Sequence, residues 1–512
     1  MRWALAAAIW FGLMSGPARA AEGDPAATLV YYNLAGNQTL DPTDTQNGSS
    51  YAHDTLLSIY DTLIRLDDRG TPVPGLAESW TRNADLTDLT LKLRPNVVFH
   101  DGTKLTAQTV VATFERNLAL GKRAGSGVVE TMGLIASMEA VGEDTVRLVL
   151  KQPNGQIDAW LGGPSGMIVS PAAYADGAVG ATFRPIGAGP FKVTRFESNA
   201  RVSVVRHEAY WGGVEGRPAG IEFHYVPDGR ARLNAVRSGQ ATVALLDARQ
   251  IPEAKAAGLE LTITEKNAFW VMYFNLAKAG LRDVRVRRAF MHALDREALA
   301  GALTFGSARG TEQIFAVSSP LNVPALDKRY AYDPAKAKSL LAEAGFKDGI
   351  DISLLVLNNS EFRPLAEAMQ AMLLEAGIRV KFDMVDVSQF TQFFQPTARG
   401  DMLMGRYGGR SEPVQMLFEL VASGGPFSPG GSVSPELDKS IGAARVLASN
   451  DPRRDAVLGQ AVEMASDLVA LVPVMTRANV YAFKPGCVTN LRAYLPGGAD
   501  RFNDVRVSAK CR

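Results

Sequence analysis

The stretch from Ile350 to Met384 reads as a strand, a helix and a second strand lying parallel to the first. Ile350–Leu357 (IDISLLVL) is an apolar run of strand length. PLAEAMQAMLLEAG follows, with its apolar residues at helical spacing, and Gly377 stands where a helix takes a left-handed C′ residue. Ile378, Val380, Phe382 and Met384 then alternate at period two. A strand, helix and strand at this spacing form a parallel pair with a right-handed crossover. The chain is therefore expected to build α/β layers around a sheet.

Elements elsewhere alternate in the same way. Asp333 is an N-cap, Pro334 the first helical residue and Gly345 the stop of one helix. Asp283 is placed to cap a helix through Val286, Phe290, Ala293 and Leu294, and Thr106 a helix reaching Leu120. Leu56, Tyr60, Leu63 and Ile64 share one helical face. LTLKL (89–93), VFHDG (98–102), 145–150 and 201–206 read as strands. No repeat or low-complexity linker interrupts the chain, so any connection between its parts is short and structured.

The first twenty residues, MRWALAAAIWFGLMSGPARA, have the form of a cleavable signal peptide. Arg2 is the positive end, 3–14 the apolar core, and Ala18-Arg19-Ala20 the small-residue cleavage pattern. The apolar run is shorter than the roughly 20 residues a membrane span needs. With no cysteine near the cut, the expected product is an exported protein in the periplasm. About 490 of the 512 residues remain, too many for one core, so two or more domains are expected. Lys and Arg number 54 against 53 Asp and Glu, which gives no basic excess for a nucleic-acid partner. Cys487 and Cys511 are the only cysteines; in an oxidising compartment they are expected to pair and pin the C-terminal tail, two free thiols being the alternative.

The motifs of catalysis are missing: there is no GxSxG, HExxH, P-loop, or GxGxxG between a strand and a helix. His53, His100, His207, His224 and His292 are isolated in sequence, and no metal site or cofactor is expected. The chain is therefore not expected to be an enzyme. GAGPF (187–191) and AYWGG (209–213) mark sharp backbone bends. Trp270, in NAFWVMYFN, reads as a core residue or a stacking face.

In order along the chain, LDPTDTQNGSS, GLAESWT, LKLRPNVVFHDGTKLTAQTVV, GAGPFKVTRFES, RHEAYWGG, FNLAKAGLRDVRVRRAFMHALDREAL, YDPAKAKSLLAEAGF and SPELDKSIGAAR resemble the signature blocks of the family 5 extracellular solute-binding proteins, the peptide/nickel receptors of ABC importers. The likeness runs from about residue 28 to about residue 485. It implies a two-lobed periplasmic binding protein fold of the cluster C type, with an enlarged first lobe and a hinge between the lobes. The implied division is 21–56, 186–268 and 482–512 for the core of lobe one, 57–185 for a subdomain of that lobe, and 269–481 for lobe two. The chain would cross near 265–270 and 478–483. A ligand would lie between the lobes and hold them closed by contacting both. Implied partners are a small-molecule or peptide ligand and an inner-membrane ABC permease with its ATPase subunits, the receptor itself being a monomer.

MGRYGGRSEP (404–413) departs from the family's pattern. Peptide-binding members often carry a tryptophan, a glycine and an acidic residue ahead of an Asp-Pro step, the acid pairing with the peptide's amino group. Here Glu412-Pro413 matches that step, Arg406 stands in the tryptophan's place and Gly409 in the acid's, with Arg410 beside it. A buried ammonium without a counter-charge costs several kcal/mol, whereas arginine grips a carboxylate or phosphate. The candidate ligand-binding residues are Arg406, Tyr407, Arg410 and Trp270, and the expected ligand is a small peptide or peptide-like solute bearing an acidic group. Glu412 or Asp44 is the alternative partner for an amine. Other readings are a nickel-chelate receptor of the same fold and a secreted hydrolase built on this scaffold.

Overall fold

The computed structural model describes residues 23–511, apart from 45–52, 69, 359–360, 396–398, 411, 432–433 and 493–500. The expected signal peptide lies outside the described residues.

A ten-stranded sheet runs through the molecule. In spatial order its strands are Ile378–Val385, Ile350–Leu357, Met402–Tyr407, Glu260–Phe274, Val472–Phe483, Val243–Leu246, Thr28–Asn33, Gly220–Tyr225, Arg201–Arg206 and Phe191–Glu197. The parallel pair read from the sequence is present, in register from Ile350 opposite Ile378 to Leu357 opposite Val385. The helix Phe362–Glu375 joins its strands, and Gly377 has the left-handed φ of +81° that its position demands.

Glu260–Phe274 and Val472–Phe483, paired antiparallel, are long enough to serve both ends of this sheet. Their register shifts between Lys266 and Phe269, opposite Arg477 and Thr476. Such a bulge bends and twists a strand pair. One end of the sheet packs the core around Tyr31, Phe223 and Tyr481; the other carries cores on both faces, one around Trp270, Met272 and Phe290, the other around Phe269, Tyr273 and Leu417. A separate four-stranded sheet, Ala77–Arg82, Asp88–Leu93, Thr145–Leu150 and Ile135–Val141 in spatial order, packs with the helix Ala107–Leu120. Cys487 and Cys511 form a disulfide with Cα atoms 5.4 Å apart.

Helix caps follow the sequence closely. The side chains of Thr106, Asp283 and Asp333 accept from the backbone N–H groups of Thr109, Arg285 and Lys336. Two expectations need correction. Residues 98–102 are not a strand; a single bridge joins Val98 to Lys104, because the reversal at Gly102 (φ +85°) comes too soon for a ladder. The helix beginning at His53 stops at Ile59, and Ile64 opens a short strand instead of extending the helical face. The Gly189 N–H caps the Ile59 carbonyl at 3.0 Å, and a Cβ on either Gly187 or Gly189 would overlap that carbonyl. The GAGPF glycines are thus the surface against which this helix ends.

AYWGG is scaffold as well. The Trp211 ring has the guanidinium groups of Arg65 and Arg94 at 4.5 and 4.4 Å, and its Nε1 donates to Asp61 at 3.0 Å.

Candidate functional site

The loop 406–413 links the strand Met402–Tyr407 to the helix Pro413–Val421. Alternation along that strand separates two of the candidate residues from the others. Arg406 pairs in register with Trp270, on the side of Phe362. Tyr407 lies on the opposite side, with its ring 5.7 Å from Phe269 and 5.8 Å from Phe427.

Trp270 is buried in the core with its ring edge-on to Phe362 at 4.9 Å, which leaves little of it to stack on a ligand. The Arg406 side chain is 40% exposed, and its Nη1 donates to both oxygens of an exposed Glu361 at 3.1 and 3.0 Å. The two arginines therefore have different surroundings.

Arg410 is anchored from behind. Its Nε donates to Oε1 of Glu419 at 2.8 Å, its Nη1 to the Gly409 carbonyl at 3.0 Å, and its charge lies 5.6 Å from the centre of the Tyr407 ring. The Tyr407 hydroxyl donates to the other oxygen of Glu419 at 2.8 Å. Glu419 is the one acid in the helix PVQMLFELV, and its side chain is only 3% exposed, against 34% for Arg410. Burial disfavours the Arg410 charge, but Tyr407 and Glu419 outweigh it and hold the guanidinium firmly protonated. Burial, relieved in part by Arg410, pushes the Tyr407 hydroxyl well above its ordinary range, so it stays a donor. Among the described residues, Nη2 of Arg410 donates to none.

Two groups from the first part of the chain lie near this guanidinium. His53, at the start of the helix His53–Ile59, is held neutral: burial and then the Arg410 charge lower its pKa to about 4. Glu130, from the helix Ser126–Leu134, accepts from Nε2 of Gln415 at 3.2 Å. Burial and the neighbouring Glu419 raise its pKa, against the pull of Arg410. Segments remote in sequence thus converge around one partly used guanidinium.

Glu412 has a different task from the amine partner considered above. It caps the helix Pro413–Val421 by accepting from the Gln415 N–H at 2.8 Å, it is buried, and it forms an ion pair with Arg454. Gly409, in the place of the amine-pairing acid, has φ +78°, and a Cβ there would overlap the Asn267 carbonyl. The loop therefore excludes a side chain at Gly409. Sequence reasoning missed His53, Glu130 and Glu419; only Glu419, the lone acid on a mostly apolar helix, left a visible signal.

No group of three or more His, Cys, Asp or Glu among the described residues is placed to hold a metal ion. No helix among them is long and apolar enough to cross a membrane.

Residues 71–428 match the model of the bacterial extracellular solute-binding proteins, family 5. A Brucella ovis chain named as an ABC transporter peptide-binding protein is 30% identical over 385 residues, 72% of this chain and 69% of its own length. The dipeptide-binding protein of Escherichia coli is 27% identical over 433 residues, 78% of this chain and 80% of its own. Among solved structures, HbpA2 from Haemophilus parasuis superposes with a TM-score of 0.80 at 23% identity, covering 94% of this chain and 99% of that one.

Proposed function

Because this chain belongs to the bacterial extracellular solute-binding proteins of family 5, a family of transport receptors rather than enzymes, we propose that it is the periplasmic receptor of an ABC importer for a small peptide or peptide-like solute bearing an acidic group. The observation that carries the ligand class is the state of Arg410. Glu419 fixes the guanidinium at one edge, the imidazole of His53 beside it is neutral, and Nη2 has no hydrogen bond to any described residue. A carboxylate arriving there gains a charge-assisted hydrogen bond without displacing an existing partner. Glu419 already balances much of the arginine's charge, so the ligand's anion is positioned by this group more than it is attracted from a distance.

On this reading the two long strands are the crossings between lobes, and the register shift at Lys266–Phe269 is the hinge. It falls within the first expected crossing, at 265–270; the residues opposite it, Thr476 and Arg477, lie just before the second, at 478–483. A ligand touching Arg410 on one side and the His53–Glu130 side on the other favours closure by its differential affinity for the closed state. The closed receptor, as a monomer, would deliver its load to the permease and its ATPase subunits.

The test is a thermal-shift panel on the mature protein: solutes matched with and without a carboxylate, plain di- and tripeptides, and nickel with histidine. A ligand at about 100 times its Kd adds about 2.7 kcal/mol of stability. Saturable stabilisation by acidic solutes above their uncharged matches is expected. Stabilisation by nickel with histidine alone would favour a metal-chelate receptor.

A further inference from the structure

A second junction between the two parts of the chain lies away from Arg410, and it is built almost wholly from polar groups. The turn at 154–156 follows the strand Thr145–Leu150 of the small sheet and docks where the helix Pro435–Arg445 ends and the helix Arg454–Asp467 begins. The Gly155 N–H donates to the Arg445 carbonyl at 2.9 Å. Nε2 of Gln156 donates to the carbonyls of Ala444 and Leu447 at 3.2 and 2.7 Å, and its Oε1 accepts from Nη2 of Arg454 at 2.8 Å. Ser449 donates to Oδ1 of Asp158 at 2.8 Å and to the Gly155 carbonyl at 3.3 Å. Asp158 in turn pairs with Arg82 of its own sheet.

The fit is close. A Cβ on Gly155 would overlap the Leu447 carbonyl and lie 2.8 Å from the Ala448 nitrogen. Gln156 is 1% exposed, yet each of its side-chain partners belongs to the other part of the chain. These bonds exist only while the two parts are together; when they separate, the same groups return to water. Glycine for close approach and glutamine for three directed bonds make a specific dock, not an incidental contact.

The dock also reaches the ligand loop. Arg454 binds Gln156 and pairs with Glu412, and Glu412 caps the helix that carries Gln415 and Glu419. We propose that the turn at 154–156 is a closure latch seated on the Arg454–Glu412 pair, which stabilises the closed lobes without ligand and holds the helix behind Arg410 when they close. Gln156 and Arg454 are then positioning residues that do not touch the solute. The helix carrying Glu419 is braced at its N-terminus by the same event that brings Glu130 up to Gln415.

The latch also carries a cost that argues against its being mere scaffold. Nε of Arg454 is buried without a hydrogen-bond partner among the described residues. Opening rehydrates it, which keeps the closed state from being locked.

The test needs no ligand. Spin labels on cysteines replacing the exposed Glu139 and Lys439, on the two sides of the junction, report the separation of the lobes in the ligand-free mature protein. The native cysteines are disulfide-bonded and stay unlabelled. Wild type is expected to populate the separation seen here. Gln156→Ala is expected to lower the ratio of closed to open molecules roughly two- to tenfold for each hydrogen bond lost. Ser449→Ala, made from the opposite side of the junction, is expected to act in the same direction and covers the case in which the Gln156 variant fails to fold. Unchanged distance distributions in the folded variants, or a wild type with no closed population, would overturn the proposal. Neither result depends on which solute the receptor carries.

Discussion

The carbonyl of Asn267 lies so close against Gly409 that a Cβ on the glycine would overlap its oxygen and sit 3.0 Å from its carbon. Gly409 also has φ +78°, where a residue with a side chain is strained. Asn267 cannot easily retreat, because its side chain accepts from the Ala316 N–H at 3.1 Å and the residue lies inside the register shift of the long strands. Gly409→Ala and Gly409→Asp are therefore each expected to destabilise the protein by about 1–3 kcal/mol. A urea titration read by circular dichroism checks this. A Gly409→Asp protein as stable as wild type would show that the loop adapts, and that an amine-pairing acid could be restored there.

The two arginine pairs of the loop should differ in strength. Glu419 is buried and accepts from both Arg410 and Tyr407, so Glu419→Ala leaves the Arg410 Nε and the Tyr407 hydroxyl without their acceptor and is expected to cost about 2–4 kcal/mol. Arg406 and Glu361 meet in solvent, so Glu361→Ala is expected to change stability by less than about 1 kcal/mol. Denaturation midpoints of the two variants make the comparison.

Trp270→Ala is expected to cost about 3–5 kcal/mol, the loss from emptying a packed aromatic site. Trp270→Phe, which keeps a ring against Phe362, is expected to cost less. Equal ligand responses in wild type and the folded Trp270→Phe protein would show that this tryptophan serves the core and not the solute.

Histidine burial gives a signed pH dependence. His53 has its pKa lowered to about 4 in the folded protein by burial and the Arg410 charge, and His100 to about 4 mainly by burial. Between the ordinary value of 6.5 and about 4 the unfolded chain binds protons that the native state refuses. Stability contributed by these groups is thus full above pH 6.5 and is lost as pH falls toward 4. Urea midpoints measured across this range should fall for wild type and fall less steeply for His53→Gln.

What could be read in advance divides by the range of the interactions involved. Caps at Thr106, Asp283 and Asp333, and the parallel pair at Ile350 and Ile378, depend on neighbours within a few residues or on simple periodicity, and both were legible. The early stop at Ile59 was not, because it comes from the distant glycines Gly187 and Gly189. Arg410 stood out as a departure from the family's pattern. Its setting did not: Glu419, His53 and Glu130 reach it from three different helices. Strand alternation, which sends Arg406 and Tyr407 to opposite sides, was available from the spacing once the strand's end at Tyr407 was known.

In the proposed receptor Arg410, and not Arg406, receives the acidic group of the solute. This is tested most directly by titrating the acidic solute that stabilises the wild type into Arg410→Ala and Arg406→Ala by calorimetry. Arg410→Ala is expected to lose binding at least tenfold, the loss of one charge-assisted hydrogen bond of about 1.5–3 kcal/mol, while Arg406→Ala binds as wild type does. Wild-type affinity in a folded Arg410→Ala protein, or a loss confined to Arg406→Ala, would contradict it.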